Sequence, residues 1–457
     1  MKKIVIYISL VLTTSFAFGQ QQLTMHFMKD LHQSNFTNPA LFNDKDFSYG
    51  FHLGTSAGFT GFTYSDVIKK RADDSLYIDF NSLVNNLDSV NLNYFYSDVV
   101  SNIFNLKLKI RKFYLTLSAT QKLDMRFSYP RDFAELVFLG NGGMIGDTAD
   151  FSGIGFDFNH YNEFALGLSF GEKELTIGGK LKLLQGLSNM YTENSNFTLY
   201  TDASAFSWTA KADYKMNFSG PVFNRDTTET SSTDAIMNYF SNQDNLGFAA
   251  DIGMVYRPNS RALITASLLD LGYIKWSSQV TNVYNSGAQY KFEGINVNDF
   301  FSDSSGFSPS TLADSLYNLF SPDTSNDAYT TKFAPKLLFS GMYDLTSRNR
   351  FGILFAKEFG KNARPLTLSL SYYRRLFRII NTGFVYTIQN NNYFTTSNLG
   401  MGASLKLGPL QTFFIADNVF SFFKFAAYHP DPKSSVYLPI PKEANTFTFS
   451  FGLNFVF

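Results

Sequence analysis

Apolar and polar side chains take turns along much of this chain with a period of two. The clearest case is its end, where Phe447, Phe449, Phe451, Leu453, Phe455 and Phe457 fall on one face. Thr448, Ser450, Gly452 and Asn454 fall on the other, with Val456 the one apolar intruder. Successive side chains of a strand point to opposite sides, so this period predicts a β-strand. A face this apolar must be covered by something other than water. Phe113, Leu115, Leu117, Ala119, Leu123, Met125 and Phe127 repeat the pattern, interrupted by Gln121. So do Phe206, Trp208, Ala210, Ala212, Tyr214, Met216 and Phe218, and again Leu246, Phe248, Ala250, Ile252, Met254 and Tyr256. Each run meets the length of about 9–11 residues that a tilted strand needs to cross a bilayer.

The connections sort by length. Short polar turns are expected at Ile110–Lys112, Gly171–Glu174, Arg257–Arg261, Thr346–Arg350, Arg374–Arg378 and Gly408–Pro409. Long ones fall at Tyr129–Ser152, Ser219–Asn245, Ser277–Thr330 and Asn418–Asn445. Membrane barrels have short turns at one end and long loops at the other. With both chain ends on the short-turn side, the strand number must be even. The walk is consistent except between Met190 and Asn245, which holds either an extra hairpin or one long strand and a loop. The pattern therefore predicts an all-β, transmembrane antiparallel β-barrel of 14 strands, with 16 the alternative. A short helix is expected on the loop Ser304–Ser325, from Leu312, Leu316 and Leu319, and a solvated loop tip at Thr227–Asp234.

Composition agrees with strands that hide their apolar face. Mean hydropathy is −0.10, yet 51 Phe and 26 Tyr bring aromatics to 17%, as strands and interfacial aromatic girdles require. After residue 19 no apolar run is long enough for a spanning helix. A soluble sandwich or barrel would alternate too, but the chain offers no amphipathic helices to cover its outer faces. Residues 1–19 read as a secretory signal: Lys2 and Lys3, an apolar stretch Ile4–Leu12, and a small-x-small site at Ala17-Phe18-Gly19,. The expected organisation is signal peptide 1–19, N-terminal plug segment 20–46 and barrel 47–457. In the plug segment, Pro39 blocks ladder pairing and disfavours a helix at Asn38.

With 38 basic and 38 acidic residues the net charge is zero, which gives no electrostatic case for nucleic acid,. The chain has no cysteine, so disulfides and thiolate metal sites are excluded. None of His26, His32, His52, His160 and His429 stands at a ligand spacing,, and no metal or cofactor is expected. Gly54-Thr55-Ser56-Ala57-Gly58 matches a nucleophile elbow, but it sits in an alternating strand without the strand-to-helix turn that chemistry needs,. No enzyme is expected. The remaining candidates are charges on the polar faces of strands: Lys122, Asp124 and Arg126, Lys180 and Lys182, and Lys211, Asp213 and Lys215. An outward apolar band would turn them into the lumen, where they form either an ion-paired filling or the lining of a polar passage.

An exported barrel carrying Gln33, Asn38, Pro39 and Ala40 as Gln-x-x-x-x-Asn-Pro-Ala resembles the outer-membrane long-chain fatty-acid transporter superfamily. It is closer to barrels of Bacteroidota-type outer membranes, including those associated with type IX secretion. Further stretches look similar to an uncharacterised family of such barrels. They are Phe27-Met28, Arg126-Phe127-Ser128-Tyr129-Pro130, Gly140-Asn141-Gly142 and Leu181 to Gly186, then Asp270-Leu271-Gly272 with Trp276, and Gly408-Pro409-Leu410 leading to Ala416-Asp417-Asn418. The closing strand from Phe447 to the terminal Phe457 resembles the signal that barrel-insertion machinery reads. The resemblance implies a 14-stranded outer-membrane barrel with its N-terminal segment folded into the mouth or lumen. In the transporters that segment gates a path for hydrophobic ligands; in the secretion-associated barrels, outer loops hold partner proteins. The leading expectation is gated passage of a small hydrophobic compound, with Gln33, Asn38, Pro39 and Ala40 in the gate. The alternative is a sealed barrel binding a secretion or assembly partner, through loops such as the aromatic run Phe420–Phe425.

Overall fold

In the computed structural model of this chain, fourteen antiparallel strands close into a barrel. The residues described are 21–43, 45–71, 73, 75–172, 174–204, 207–221, 239, 244–292, 322–360, 366–377, 379–390, 395–417, 425–428, 438–441 and 446–457. The expected signal segment, the loop tip at 227–234, the loop helix around Leu312–Leu319 and the aromatic run from Phe420 to Lys424 lie outside them.

The first strands are β1 (Phe47–Phe59), β2 (Asn93–Ile110), β3 (Phe113–Tyr129), β4 (Gly155–Gly171) and β5 (Leu175–Thr201). Next come β6 (Trp208–Ser219), β7 (Leu246–Tyr256), β8 (Ala262–Trp276) and β9 (Val280–Phe292). The second half holds β10 (Lys336–Asp344), β11 (Asn349–Glu358), β12 (Leu366–Leu376) and β13 (Ile380–Asn390), then β14 (Thr395–Leu407), β15 (Leu410–Asp417) and β16 (Thr446–Val456). Each wall strand pairs with the next in sequence, except that β5 pairs with β7, and β8 with β10. The ring closes where β16 meets β1, from Ser48 opposite Val456 to Gly58 opposite Thr446. Closure leaves no free edge, the condition for a sheet to sit in lipid.

Side-chain exposure follows the expected parity. Along β7, Leu246, Phe248 and Ile252 face outward at 46%, 57% and 55% exposure, while Gly247, Ala249, Asp251, Gly253 and Val255 are buried inside. In the closing strand Phe451 and Phe455 are exposed, and Thr448, Ser450 and Asn454 are buried. The expected turns recur after β2, β4, β7, β10, β12 and β14.

One expected spanning strand does not span. β6 pairs with Asn189–Thr201, the far half of β5, and on its other side with β9. The near half of β5, Leu175 to Gln185, pairs with β7 and forms the wall. The sheet of β5, β6 and β9 thus rises past the rim at the long-loop end. β5 runs for 27 residues, and its far half forms a hairpin with β6, so the ambiguous stretch after Met190 holds the extra hairpin, which adds no strand to the wall. Alternation signals an apolar face without saying what covers it. Here Ala210 and Trp208 pack with Met144, Phe151 and Leu199 rather than lipid.

The outer wall also carries a polar interruption. Gln121 of β3 stands opposite Ser101 of β2 and Asn162 of β4, and the Asn162 amide donates to Gln185 of β5 at 3.1 Å. Strand parity turns all four outward, in one stripe across four neighbouring strands. Below it lie exposed Phe113, Leu117, Leu166, Leu168 and Leu181. Above it, Phe127 stacks on Phe156 at 4.5 Å and meets Phe133 of the helix Arg131–Leu139. The long apolar face read from β3 is therefore two zones, the upper one covered by protein.

Candidate functional site

The N-terminal segment fills the lumen at the short-turn end. A helix, α1 (Gln21–Phe27), leads to a 3-10 turn at His32–Phe36 and an extended exit through Asn43. Pro39 stops helix formation at Asn38, and the Asn38 carboxamide oxygen takes up the Ala40 N–H at 2.8 Å, a turn that asparagine favours. The Asn38 amide then donates to the Met254 and Ala266 carbonyls of β7 and β8, at 3.1 and 3.0 Å. The Pro39 carbonyl accepts from Ser169 at 2.9 Å, and Gln33 exchanges hydrogen bonds with Asn454. Ala40 is buried in an apolar cluster. All four sequence candidates thus lie between plug and wall, Asn38, Pro39 and Ala40 toward β4, β7 and β8 and Gln33 toward the closing strand.

Glycines of the inner wall make the fit. A Cβ on Gly253 would lie 2.1 Å from the Asn38 side-chain oxygen, and one on Gly402 would lie 2.5 Å from the Met28 sulfur. Gly352 gives the same room to Phe27. Their inward parity was readable from sequence, but only the seated segment gives it meaning.

The bed beneath the plug is apolar, which departs from a wholly polar lumen. Phe27, Ala40 and Leu41 pack on Val255, Leu263, Leu338, Leu354 and Val385. Met25, Met28 and Leu31 pack on Tyr373, Phe413 and Ile415. Each large side chain removed from water contributes about 1.5–3 kcal/mol. The inward face here meets protein instead of water, so alternation weakens in these strands.

Buried cations hold the segment's ends. Lys107, wholly buried, donates to the Asn43 carbonyl at 3.0 Å and also to the Asn43 side chain and the Lys45 carbonyl. Lys180 donates to the Asn35 carbonyl at 2.8 Å and lies over the Phe36 ring. Lys180 is thus a plug anchor, whereas Lys107 carried no signal in the sequence beyond its parity. His26 bonds Thr37 and Ser340 at 2.8 Å each. Burial pushes its imidazole down to about 4 and that of His32 down to about 3, so both are neutral in the seated plug.

Above the plug runs a relay of ion pairs. Lys122 meets Glu163 at 2.6 Å, and Lys182 lies 3.8 Å from Glu163 and 2.7 Å from both Asp251 and Asp270. Lys336 meets Asp270 at 2.9 Å. Asp270 adopts φ +58° at a bulge in β8 and donates its N–H to Asp251 at 2.8 Å. A bulge re-aims a side chain, here turning a carboxylate inward between two lysines. Arg126 meets Glu358 at 2.7 Å and Asp124 at 3.4 Å. Only the last contact is within one strand. Mixed signs along a strand suggested internal pairing, but neighbours across strands lie closer. Glu163, Asp251, Asp270, Lys336 and Glu358 are partners that sequence reasoning missed.

Lys211, Asp213 and Lys215 are not in the lumen. They lie on β6 above the rim, where Lys215 pairs with Glu193, each side chain close to half exposed. Their strand was expected to span, and it does not.

Two spaces flank this region. An inner chamber of about 160 Å³ is lined by Leu23, Val100, Leu338 and Ala356 on the plug side and by paired charges on the other. A vestibule of about 950 Å³ opens at the long-loop end beside Tyr191, Glu193, Asn217 and Tyr329. Among the described residues no cluster suits a metal ion. Ser56, the would-be nucleophile, lies within β1 and its hydroxyl is held by Asp98.

Among solved structures, the toluene transporter TbuX of Ralstonia pickettii aligns over 93% of this chain and 94% of its own, with 9% identity and a TM-score of 0.42. The Pseudomonas putida toluene transporter TodX aligns over 92% of each chain, with 7% identity and a TM-score of 0.41. The translocator domain of autotransporter NalP from Neisseria meningitidis covers 96% of this chain and 99% of its own, with 7% identity and a TM-score of 0.31. No curated protein matches the sequence. The profile of a family of unknown function, DUF5723, matches residues 39–417, and the chain belongs to that family.

Proposed function

We propose that this chain is an outer-membrane barrel that passes a small hydrophobic compound when its N-terminal segment leaves the lumen. The apolar bed beneath that segment carries the reading. Val255, Leu263, Leu338, Leu354 and Val385 face inward, where a barrel filled with water would have polar side chains. The segment contributes no strand to the wall. Its hold consists of apolar packing, side-chain hydrogen bonds, two lysine anchors and glycine-shaped fits, none of them a rung of the sheet. Withdrawal would leave an apolar surface for a hydrophobic solute. The apolar outer band and the aromatic closing strand support the membrane setting.

Full-length Gly253→Val tests this, because the new side chain intrudes on Asn38 and Pro39. In detergent micelles it should bind a naphthalene-based fluorescent probe on the uncovered apolar bed, read as a several-fold rise in saturable emission over the wild type. Equal emission, with the plug shown by proteolysis to be displaced, would defeat the reading.

A further inference from the structure

The inner chamber lies between the plug and the vestibule. Toward the short-turn end its floor is the plug, through Leu23. Toward the long-loop end, Asp124, Arg126, Phe333 and Ala334 line both chamber and vestibule, so they form the partition between them. Across that partition runs the Arg126–Glu358 pair, with side chains only 10% and 6% exposed. Beside it Phe333 packs on Tyr161, ring centres 5.1 Å apart.

The positions of these residues matter more than their contact. Arg126 stands on β3 and Glu358 on β11, the third and ninth wall strands in order around the ring. Six steps around fourteen strands is close to diametrically opposite. A surface ion pair between neighbours would fix nothing, but this pair spans the lumen. Phe333 comes from the irregular stretch between Tyr329–Lys332 and β10, where the pairing of β8 shifts from one to the other. Its N–H donates to the Gly272 carbonyl at 3.0 Å, and the Pro335 carbonyl accepts from Phe359 at 2.9 Å. The stretch lies between two ladders rather than within one.

We propose that Arg126 and Glu358, with Tyr161 and Phe333, form a second gate in series with the plug. The chamber between the two is then an occlusion site for one solute of roughly single-ring size that carries a polar group, since its volume is about 160 Å³ and charged side chains line one part of it and Leu23, Val100, Leu338 and Ala356 another. This rests on the reading of the barrel as a gated passage. In it the vestibule side opens only when Arg126 exchanges Glu358 for Asp124, which already lies beside its Nε. A ligand enters the chamber while the plug is seated, and leaves when the plug withdraws.

The test uses full-length protein in planar bilayers with potassium chloride. Folding of every variant is checked by the slower migration of barrels after heating. With two barriers in series, Glu358→Gln alone and Gly253→Val alone each leave one closed, so conductance stays near that of the wild type. The double variant should conduct several-fold more, and adding Arg126→Glu with Glu358→Arg to Gly253→Val should restore the low level. Full conductance from Gly253→Val alone would overturn the second gate and leave gated passage standing. A sealed double variant with a displaced plug would overturn both. Should Glu358→Gln fail to fold, Arg126→Cys with Glu358→Cys can be bridged by a bifunctional thiol reagent, since the chain has no other cysteine. In the Gly253→Val background the bridge must suppress conductance and reduction must restore it; a formed bridge without effect would refute the gate.

Discussion

Gln33 and Asn454 bond each other in both directions. The Gln33 amide donates to Asn454 at 2.6 Å, and the Asn454 amide returns a bond to the Gln33 oxygen at 3.0 Å. One belongs to the plug and the other to the strand that closes the barrel, 421 residues apart. Opposite them in β1, Gly50 has no side chain, and a Cβ there would fall 2.0 Å from the Asn454 oxygen. The seam between first and last strands is therefore shaped around the plug. Gln33→Ala should loosen the plug without opening the seam: faster trypsin cleavage after Lys29 and Lys45, with heat-dependent barrel migration unchanged. Unaltered cleavage would mean that this pair does not hold the segment.

Acid should loosen the plug. Burial holds the seated His26 near 4 against an ordinary 6.5, so the released segment binds the extra proton. Seating is fully favourable above about 6.5 and weakens as pH falls, by about 3 kcal/mol for His26 at pH 4. His32, held lower still by burial, acts in the same direction. A Phe36→Trp reporter should become more accessible to acrylamide between pH 6.5 and 4. The same titration on a His26→Gln, His32→Gln background should be flatter.

The ion pairs inside and above the barrel should differ in value. Lys182→Met removes the ion pair of Asp251 and one of the two ion pairs of Asp270, which should cost about 3–5 kcal/mol. Lys215→Met loses a pair that is close to half exposed on each side and should change stability by no more than about 0.5 kcal/mol. Urea unfolding in detergent micelles, followed by fluorescence of Trp208 and Trp276, measures both. Similar losses would mean that β6 is not outside the lumen.

The stripe of Ser101, Gln121, Asn162 and Gln185 should mark the upper limit of lipid contact on this side. Gln121 stands eight residues along β3 from Phe113, or about 20 Å of height for a tilted strand, near the usual height of the apolar band. A fluorophore on Leu117→Cys should be quenched by doxyl-labelled lipid, and one on Met125→Cys should not. Quenching at both sites would place the outer zone of β3 in the membrane as well.

What local order determined was legible. A period of two, short turns against long loops and an aromatic closing strand were enough for an antiparallel barrel of fourteen or sixteen strands, because each depends only on nearest neighbours along the chain. Proline chemistry marked the turn at Asn38 and Pro39, and the resemblance to the transporter superfamily singled out Gln33, Asn38, Pro39 and Ala40 together. The sequence could not say what covers an apolar face. Phe248 is exposed on the outer wall, protein covers Trp208, and the plug covers Val255, yet all three sit in alternating strands. Nor could it pair Arg126 with Glu358, or turn Asp270 inward, because those contacts depend on strand order around the ring and on a bulge. Alternation is a property of one strand; which surface it meets is decided only when all fourteen close around the segment that came before them.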